Sequence, residues 1–189
     1  QVCGDYYRSF FDTGNRFVTV LSDGMGTGNR AAVDSAMAAE LFSKLVKSGL
    51  SFDCALPIAN SALLIKSSDE SLATLDVICV DVYNGKTDFM KAGAAATFVR
   101  HKDSVASLEQ ASLPIGILRD IQFTKATAKL CNGDIILMVS DGILGECNGW
   151  IQHELKACDI SQPAEDFAKY IVNSACERKL GKTKDDMTA

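Results

Sequence analysis

The sequence predicts an α+β domain in which helices are set apart from antiparallel strands. Two observations point there. Apolar runs of strand length are followed by tight turns, such as Asn84-Gly85 and Asn132-Gly133-Asp134. Strands joined by tight turns run antiparallel, because parallel neighbours need a long crossover. Two long helical stretches stand together in the first third of the chain and one more closes it. That segregation favours a layered α+β arrangement over a doubly wound parallel sheet. With 189 residues, 47% hydrophobic and 23% charged, the chain has the bulk for one domain with a sizeable core.

The elements follow in order. RFVTVLS at 16–22 is short, apolar and β-branched, and reads as a buried strand. From 30 to 48, Val33, Met37, Leu41 and Leu45 recur every four residues, with Phe42 and Val46 widening the stripe. This predicts an amphipathic helix with that stripe in the core, closed by Gly49. Asp53 is expected to cap a second helix running to Lys66, with Pro57 near its first turn. LDVICVDVY at 75–83 then predicts a strand, Asn84-Gly85 a turn, and TDFMKAG at 87–93 the returning strand. ATFVRH at 96–101 and SVASL at 104–108 form a second hairpin. IQFTKATAKL at 121–130 alternates, Asn132-Gly133-Asp134 turns, and IILMVS at 135–140 is an apolar strand. The tail from Pro163 to Leu180 carries Phe167, Ile171 and Ala175 at helical spacing, with Ser161 or Gln162 as cap and Gly181 as terminator.

Composition narrows the function. A net charge of −5 argues against a nucleic-acid or anionic-membrane surface. No run approaches the roughly 18 apolar residues of a membrane span. The chain opens at Gln-Val-Cys and stops one residue after Asp-Asp-Met-Thr, and is expected to be a piece of a longer protein. The seven cysteines, at 3, 54, 79, 131, 147, 158 and 176, include no CxxC pair and are expected to be reduced core thiols. His101 and His153 match no zinc spacing and read as surface or loop residues. Any metal ligands are therefore expected to be oxygens.

The stretch VTVLSDGMGTGNR at 18–30 poses a choice between a phosphate-cradling glycine loop and a carboxylate delivered to a metal. A dinucleotide fingerprint needs G-x-G-x-x-G, but its last glycine falls at Asn29, and Glu40 sits inside a helix rather than at a strand end. A Walker loop needs Gly-Lys-Ser/Thr, and Gly28 is followed by Asn29-Arg30. Asp23 would also set a negative charge beside a pyrophosphate.

Ser-Asp-Gly occurs twice, in VTVLSDG at 18–24 and ILMVSDG at 136–142. Each copy ends an apolar strand. Two such strands ending side by side would present Asp23 and Asp141 at one sheet edge. Glycine after each Asp lets the backbone turn and its carbonyl approach a ligand. Further carboxylates lie at Gly4-Asp5 and in Lys184-Asp185-Asp186-Met187-Thr188. A single Asp-Gly is simply a good turn. Carboxylates gathered at the mouth of an apolar core are costly unless a cation neutralises them. Oxygen-only donors favour Mg²⁺ or Mn²⁺. Two such ions sharing one Asp suit in-line attack of water on phosphorus.

Gly4-Asp5, DGMG at 23–26, SDG at 140–142 and DDMT at 185–188 resemble, in order and spacing, the motifs of the PPM-type (protein phosphatase 2C-like) metal-dependent serine/threonine phosphatases. Within these the chain is similar to the stage II sporulation protein E branch, on SDGMGTGNRA, KAGAAATFVRHKDSV at 91–105, SLPIGIL at 112–118 and GDIILMVSDGI at 133–143. The resemblance implies an antiparallel β-sandwich flanked by helices, in α-β-β-α layers, as one domain over 1–189, with a two-metal centre of Mn²⁺ or Mg²⁺. It implies that Asp23 bridges both ions, that the Gly24 carbonyl serves one, that Asp141 and Asp185 complete the set of ligands around the second ion, and that Asp5 holds the first ion directly or through water. Asp186 is the substitute if the register of Asp-Asp is shifted by one. The catalytic set is then Asp23, Asp141 and Asp185, holding the attacking water.

The same resemblance implies phosphoserine on an anti-sigma factor antagonist as substrate and control of sigma factor release. It implies a cytoplasmic domain of a membrane-anchored parent, without direct membrane or nucleic-acid contact, and leaves a homodimer open. It also implies that the helices at 30–48 and 53–66 act as a switch. In the family a strand precedes Gly-Asp and another follows Asp-Asp-Met-Thr. Only three residues precede Gly4 and Ala189 is last, so terminal strands are expected to be missing here. Arg8, Arg30 and Arg119 are the arginines available to a phosphoryl group, each reading first as a surface charge. The alternative function is a non-catalytic partner-binding module of the same fold.

Overall fold

The computed structural model describes residues 2–26, 28–66, 71–109, 111–145, 148–179 and 185–189. Gly181, expected to end the last helix, lies outside the described residues, as do Cys147, Thr27 and Lys184. The elements run β1 (Asp5–Phe11), β2 (Phe17–Asp23), α1 (Asn29–Lys47), α2 (Phe52–Lys66), β3 (Leu75–Val80), β4 (Lys86–Ala92), β5 (Thr97–His101), β6 (Ser104–Leu108), β7 (Thr124–Lys129), β8 (Ile135–Met138), α3 (Gly149–Ala157) and α4 (Ala164–Arg178). The α+β class is as the sequence predicts. All strand pairs are antiparallel, in a five-stranded sheet β1-β2-β3-β4-β7 and a three-stranded sheet β6-β5-β8.

The chain forms two compact units, one of residues 1–94 and 110–129, the other of residues 95–109 and 130–189. In the first, α1 and α2 pack together and α1 lies on β1 and β2. Val18, Val20, Leu75, Val77 and Met90 meet Phe42 in its core. In the second, Phe98 and Leu137 from the three-stranded sheet meet Ile151 and Leu155 of α3 and Phe167 and Ile171 of α4.

Several expectations are corrected. The core face of α1 is Ala31, Ala38, Ala39, Phe42 and Val46. Val33 is exposed, and Met37, Leu41 and Leu45 are half-buried. Alanines let the helix backbone lie close to the strands, and the larger side chains flank that seam. Asp53 is not a cap but part of the first turn of α2, paired with Lys125. Pro57 is inside that helix. Residues 81–83 are not strand. The Asp81 carboxylate accepts the Tyr83 N–H at 2.9 Å and pulls the chain into the turn that Gly85, at φ 74°, completes.

Strand β7 pairs with β4 and β8 with β5, so the turn at Asn132-Gly133 joins strands of different sheets. The N-cap of α4 is Pro163, not Ser161 or Gln162. Helix α3 and strand β1 were not anticipated. Of the six described cysteines only Cys79 is buried, and Cys3, Cys54, Cys131 and Cys176 are exposed. Burial pushes the Cys79 thiol up to about 11. Among the described residues no helix is long and apolar enough to cross a membrane.

Candidate metal centre

The antiparallel register of β1 and β2 sets Asp5 directly opposite Asp23. Paired residues of an antiparallel ladder share a face, and like charges so placed destabilise it unless a cation joins them. The backbone around Asp23 is fixed from several sides. The Asp23 N–H donates to Thr74 Oγ1 at 2.8 Å, the Thr74 N–H donates to the Asp23 carbonyl at 2.7 Å, and the Ser22 hydroxyl donates to the Thr74 carbonyl at 2.7 Å. The Gly24 N–H donates to the Gly4 carbonyl at 3.2 Å, tying Asp-Gly to Gly-Asp.

Glycine is required at 24 because a Cβ there would lie 1.9 Å from the Ala31 carbonyl oxygen of α1. Ala73 bridges both Gly24 and Ile115. The loop carrying Ile115 is pinned in turn by buried Asn60. Its Oδ1 accepts the Gly116 N–H at 2.8 Å, and its Nδ2 donates to the Leu118 carbonyl at 2.8 Å.

The second Ser-Asp-Gly is held in a parallel way. The Ser140 N–H donates to the Thr188 carbonyl at 3.0 Å, and the Thr188 N–H donates to Ser140 Oγ at 3.0 Å. This lays 140–142 beside 185–188. A Cβ at Gly142 would lie 1.8 Å from the Asp186 carbonyl oxygen, and Lys179 donates to the Gly142 carbonyl. Asp141 and Asp185 are exposed and Asp186 is half-buried.

The structure thus joins Asp5 with Asp23 and Gly24 in the first unit, and Asp141 with the Asp185-Asp186 segment in the second. The two Ser-Asp-Gly strands do not share the one sheet edge that the sequence suggested. Strand β2 lies between β1 and β3, whereas β8 is paired with β5 in the other sheet. A shared turn motif marks where a strand ends, not which strand it joins. Sequence reasoning assigned no role to Thr74, Thr188, Ser22 or Ser140, which set the backbone of the carboxylates. The repeated serine and the last residue of DDMT were the signals for three of them, and Thr74 had none.

Arg8 is committed to Glu40 of α1, whose Oε1 also accepts the Tyr6 hydroxyl at 2.6 Å. The Tyr6 bond, and then Arg8, hold the Glu40 carboxyl below the ordinary range against its partial burial. Arg30 and Arg119 are exposed. The donors are carboxylates and a backbone carbonyl, a hard set suited to Mg²⁺ or Mn²⁺ rather than to copper. The close approaches at Gly24 and Gly142 leave the carbonyl-bearing loops no room for a side chain. These residues fit such an ion.

The model of the family described as stage II sporulation protein E matches residues 13–189. The chain belongs to the stage II sporulation protein E family. Stage II sporulation protein E of Bacillus subtilis (strain 168) is 29% identical over 193 residues, covering 99% of this chain and 23% of that relative. The protein of the same name from Priestia megaterium is 26% identical, covering 99% of this chain and 33% of the relative. This chain therefore spans a minor part of the length of both. The solved PP2C phosphatase domain of SpoIIE from Bacillus subtilis, with a fragment of its regulatory domain, aligns with a TM-score of 0.86 at 29% identity, over 100% of this chain and 56% of that one. The serine/threonine phosphatase Stp1 from Staphylococcus aureus shares the fold, with a TM-score of 0.82 at 14% identity over 100% of this chain and 87% of that one. By family and fold this member has the PP2C phosphatase fold.

Proposed function

We propose that this domain hydrolyses phosphoserine on a phosphorylated anti-sigma factor antagonist protein, and so takes part in sigma factor release. The observation that carries the reading is the pairing of Asp5 with Asp23 across β1 and β2, beside a Gly24 backbone locked by α1 and Thr74. Asp5, Asp23, the Gly24 carbonyl, Asp141 and Asp185 would hold two Mn²⁺ or Mg²⁺ ions. When bound, such ions supply Lewis acidity and a water of lowered pKa for in-line attack on phosphorus. The chain's own part is to keep the backbone that carries these carboxylates fixed, through Thr74 and Ser22 on one side and Ser140 and Thr188 on the other.

Relatives support the reading. RsbP of Bacillus subtilis, 22% identical over 191 residues, is a phosphoserine phosphatase by name. RsbX has been solved in complex with magnesium, and a SpoIIE phosphatase domain after presoaking with Mn. The 189 residues would act as one catalytic domain on the cytoplasmic side of an anchored parent.

The test is Mn²⁺-dependent phosphate release from a phosphoserine anti-sigma factor antagonist, with Asp23→Ala and Asp141→Ala alongside. Release that needs Mn²⁺ and falls about 100-fold or more in each variant, about 2.7 kcal/mol of barrier, is the expected result. A folded, Mn²⁺-loaded wild type that releases nothing would leave a partner-binding module instead.

A further inference from the structure

A second cluster of ligating side chains lies in the unit of residues 95–109 and 130–189, independent of the carboxylate motifs. His101, Cys131 and Asp134 each offer a ligand atom, and these atoms all lie within 4.8 Å of one another. Local structure holds them there. The β5–β8 register pairs Arg100 with Ile135, so the next rung sets His101 opposite Asp134, and His101 Nδ1 lies 2.9 Å from Asp134 Oδ2. Cys131 and Asp134 are the two ends of a four-residue turn. The Asp134 N–H donates to the Cys131 carbonyl at 3.1 Å, the Cys131 N–H donates to Asp134 Oδ2 at 2.7 Å, and Gly133 supplies φ 90°. The spacing Cys-x-x-Asp has the two-residue gap of a zinc-knuckle turn with one thiolate replaced by a carboxylate.

We propose that His101, Cys131 and Asp134 form a zinc-selective ion site, with water as the fourth ligand. Imidazole, thiolate and carboxylate are a borderline-soft set, unlike the oxygen-only set of the PP2C motifs, and discriminate for Zn²⁺ against Mg²⁺ and Mn²⁺. Tetrahedral zinc with bonds of about 2.0–2.3 Å separates its ligand atoms by about 3.3–3.8 Å. The His101–Asp134 pair, at 2.9 Å, would open toward that spacing, and all three ligand atoms already lie within 4.8 Å of one another.

Asp134 is ready as a ligand. Its carboxylate is fixed in the turn, where Oδ2 accepts the Cys131 N–H at 2.7 Å. The turn alone does not account for the thiol. Capping uses the Cys131 backbone and the Asp134 side chain and makes no demand on the side chain at 131. The ion would brace the end of the β5–β6 hairpin against the turn that leads into β8.

Co²⁺ titration of the metal-stripped, reduced protein tests this. The expected result is a near-ultraviolet thiolate-to-cobalt band that is removed by stoichiometric Zn²⁺ and kept in excess Mg²⁺. Cobalt on the carboxylate motifs gives no such band, so the two sites are told apart. Cys131→Ser should abolish the band, and His101→Ala should weaken zinc binding by about tenfold or more. Both positions are exposed, and matching melting temperatures without metal verify the fold of the variants. No band, a band that survives Cys131→Ser, or zinc affinity unchanged in His101→Ala would overturn the site.

Discussion

Replacing Gly142 by alanine should detach the carboxyl-terminal segment 185–189 without unfolding the rest. The new Cβ would meet the Asp186 carbonyl oxygen at 1.8 Å, far inside contact distance, and that atom is backbone, so the segment must move. Moving it breaks the two hydrogen bonds between Ser140 and Thr188. At about 0.5–1.5 kcal/mol each, their loss costs about 1–3 kcal/mol. Met187 and Ala189, which pack against the second unit's core, add to that. Opening of the segment should rise about 5- to 150-fold. Hydrogen exchange at the Ser140 and Thr188 amides reads this directly, because each amide donates across the contact in question. Gly145→Ala is the control, since a Cβ there has nothing within 4 Å. If the two amides keep their protection within about twofold in Gly142→Ala, or lose it equally in Gly145→Ala, the steric reasoning fails. Under the proposed function, Mn²⁺ affinity should fall in the first variant and hold in the second.

Two other outcomes follow from buried and half-buried charges. The Lys91 ammonium and Asp76 carboxylate meet at 2.5 Å, both essentially buried and paired across β3 and β4. Lys91→Met should cost about 3–5 kcal/mol in urea denaturation, and Asp76→Leu/Lys91→Met should recover most of it. No recovery in the double variant would mean that the pair serves more than its own neutralisation. Glu40 titrates below its ordinary 4.5 because of its bonds from Tyr6 and Arg8. Its stabilisation is complete above the unfolded value and is lost as pH falls through the lowered folded one. Glu40→Gln should flatten that part of the acid unfolding curve, and an unchanged slope would discount the pair.

Elements with strong local signals were legible. VTVL, LDVICV and the hairpin over 97–108 announced themselves by β-branched runs and turn chemistry. Strand β1 did not, because its Tyr7, Ser9 and Phe11 face solvent and Phe10 alone is fully buried. Helix α3 offers just Ile151 and Leu155 to the core over nine residues, too few for a period. The face of α1 was misjudged because hydrophobicity favours large side chains, whereas close helix–sheet packing selects alanine. The four acidic motifs were legible one by one. Which of them meet was not, since strand partners are set by register across the sheet rather than by any local pattern. The cluster of His101, Cys131 and Asp134 was missed for the same reason: its spacing in sequence is uninformative until β5 and β8 pair.

An Asp-Gly that is only a turn has no need of the contacts found at both copies. In each, the serine before the aspartate binds a threonine far away in sequence, Thr74 for Ser22 and Thr188 for Ser140. In each, the glycine after it is pressed by a backbone carbonyl, from Ala31 of α1 or from Asp186 of the tail. The aspartate is thus fixed on one side by a hydroxyl and on the other by a close approach that no side chain tolerates. The turns at Asn84-Gly85 and Asn132-Gly133 are closed by local bonds that the Asp81 and Asp134 carboxylates accept. Holding a carboxylate by long-range contacts, beyond the local bonds of its turn, is what a site needs to set a ligand's position tightly. On that ground Asp23 and Asp141 differ from the ordinary turns of the same chain, and the repeat of Ser-Asp-Gly is best understood as one device used twice.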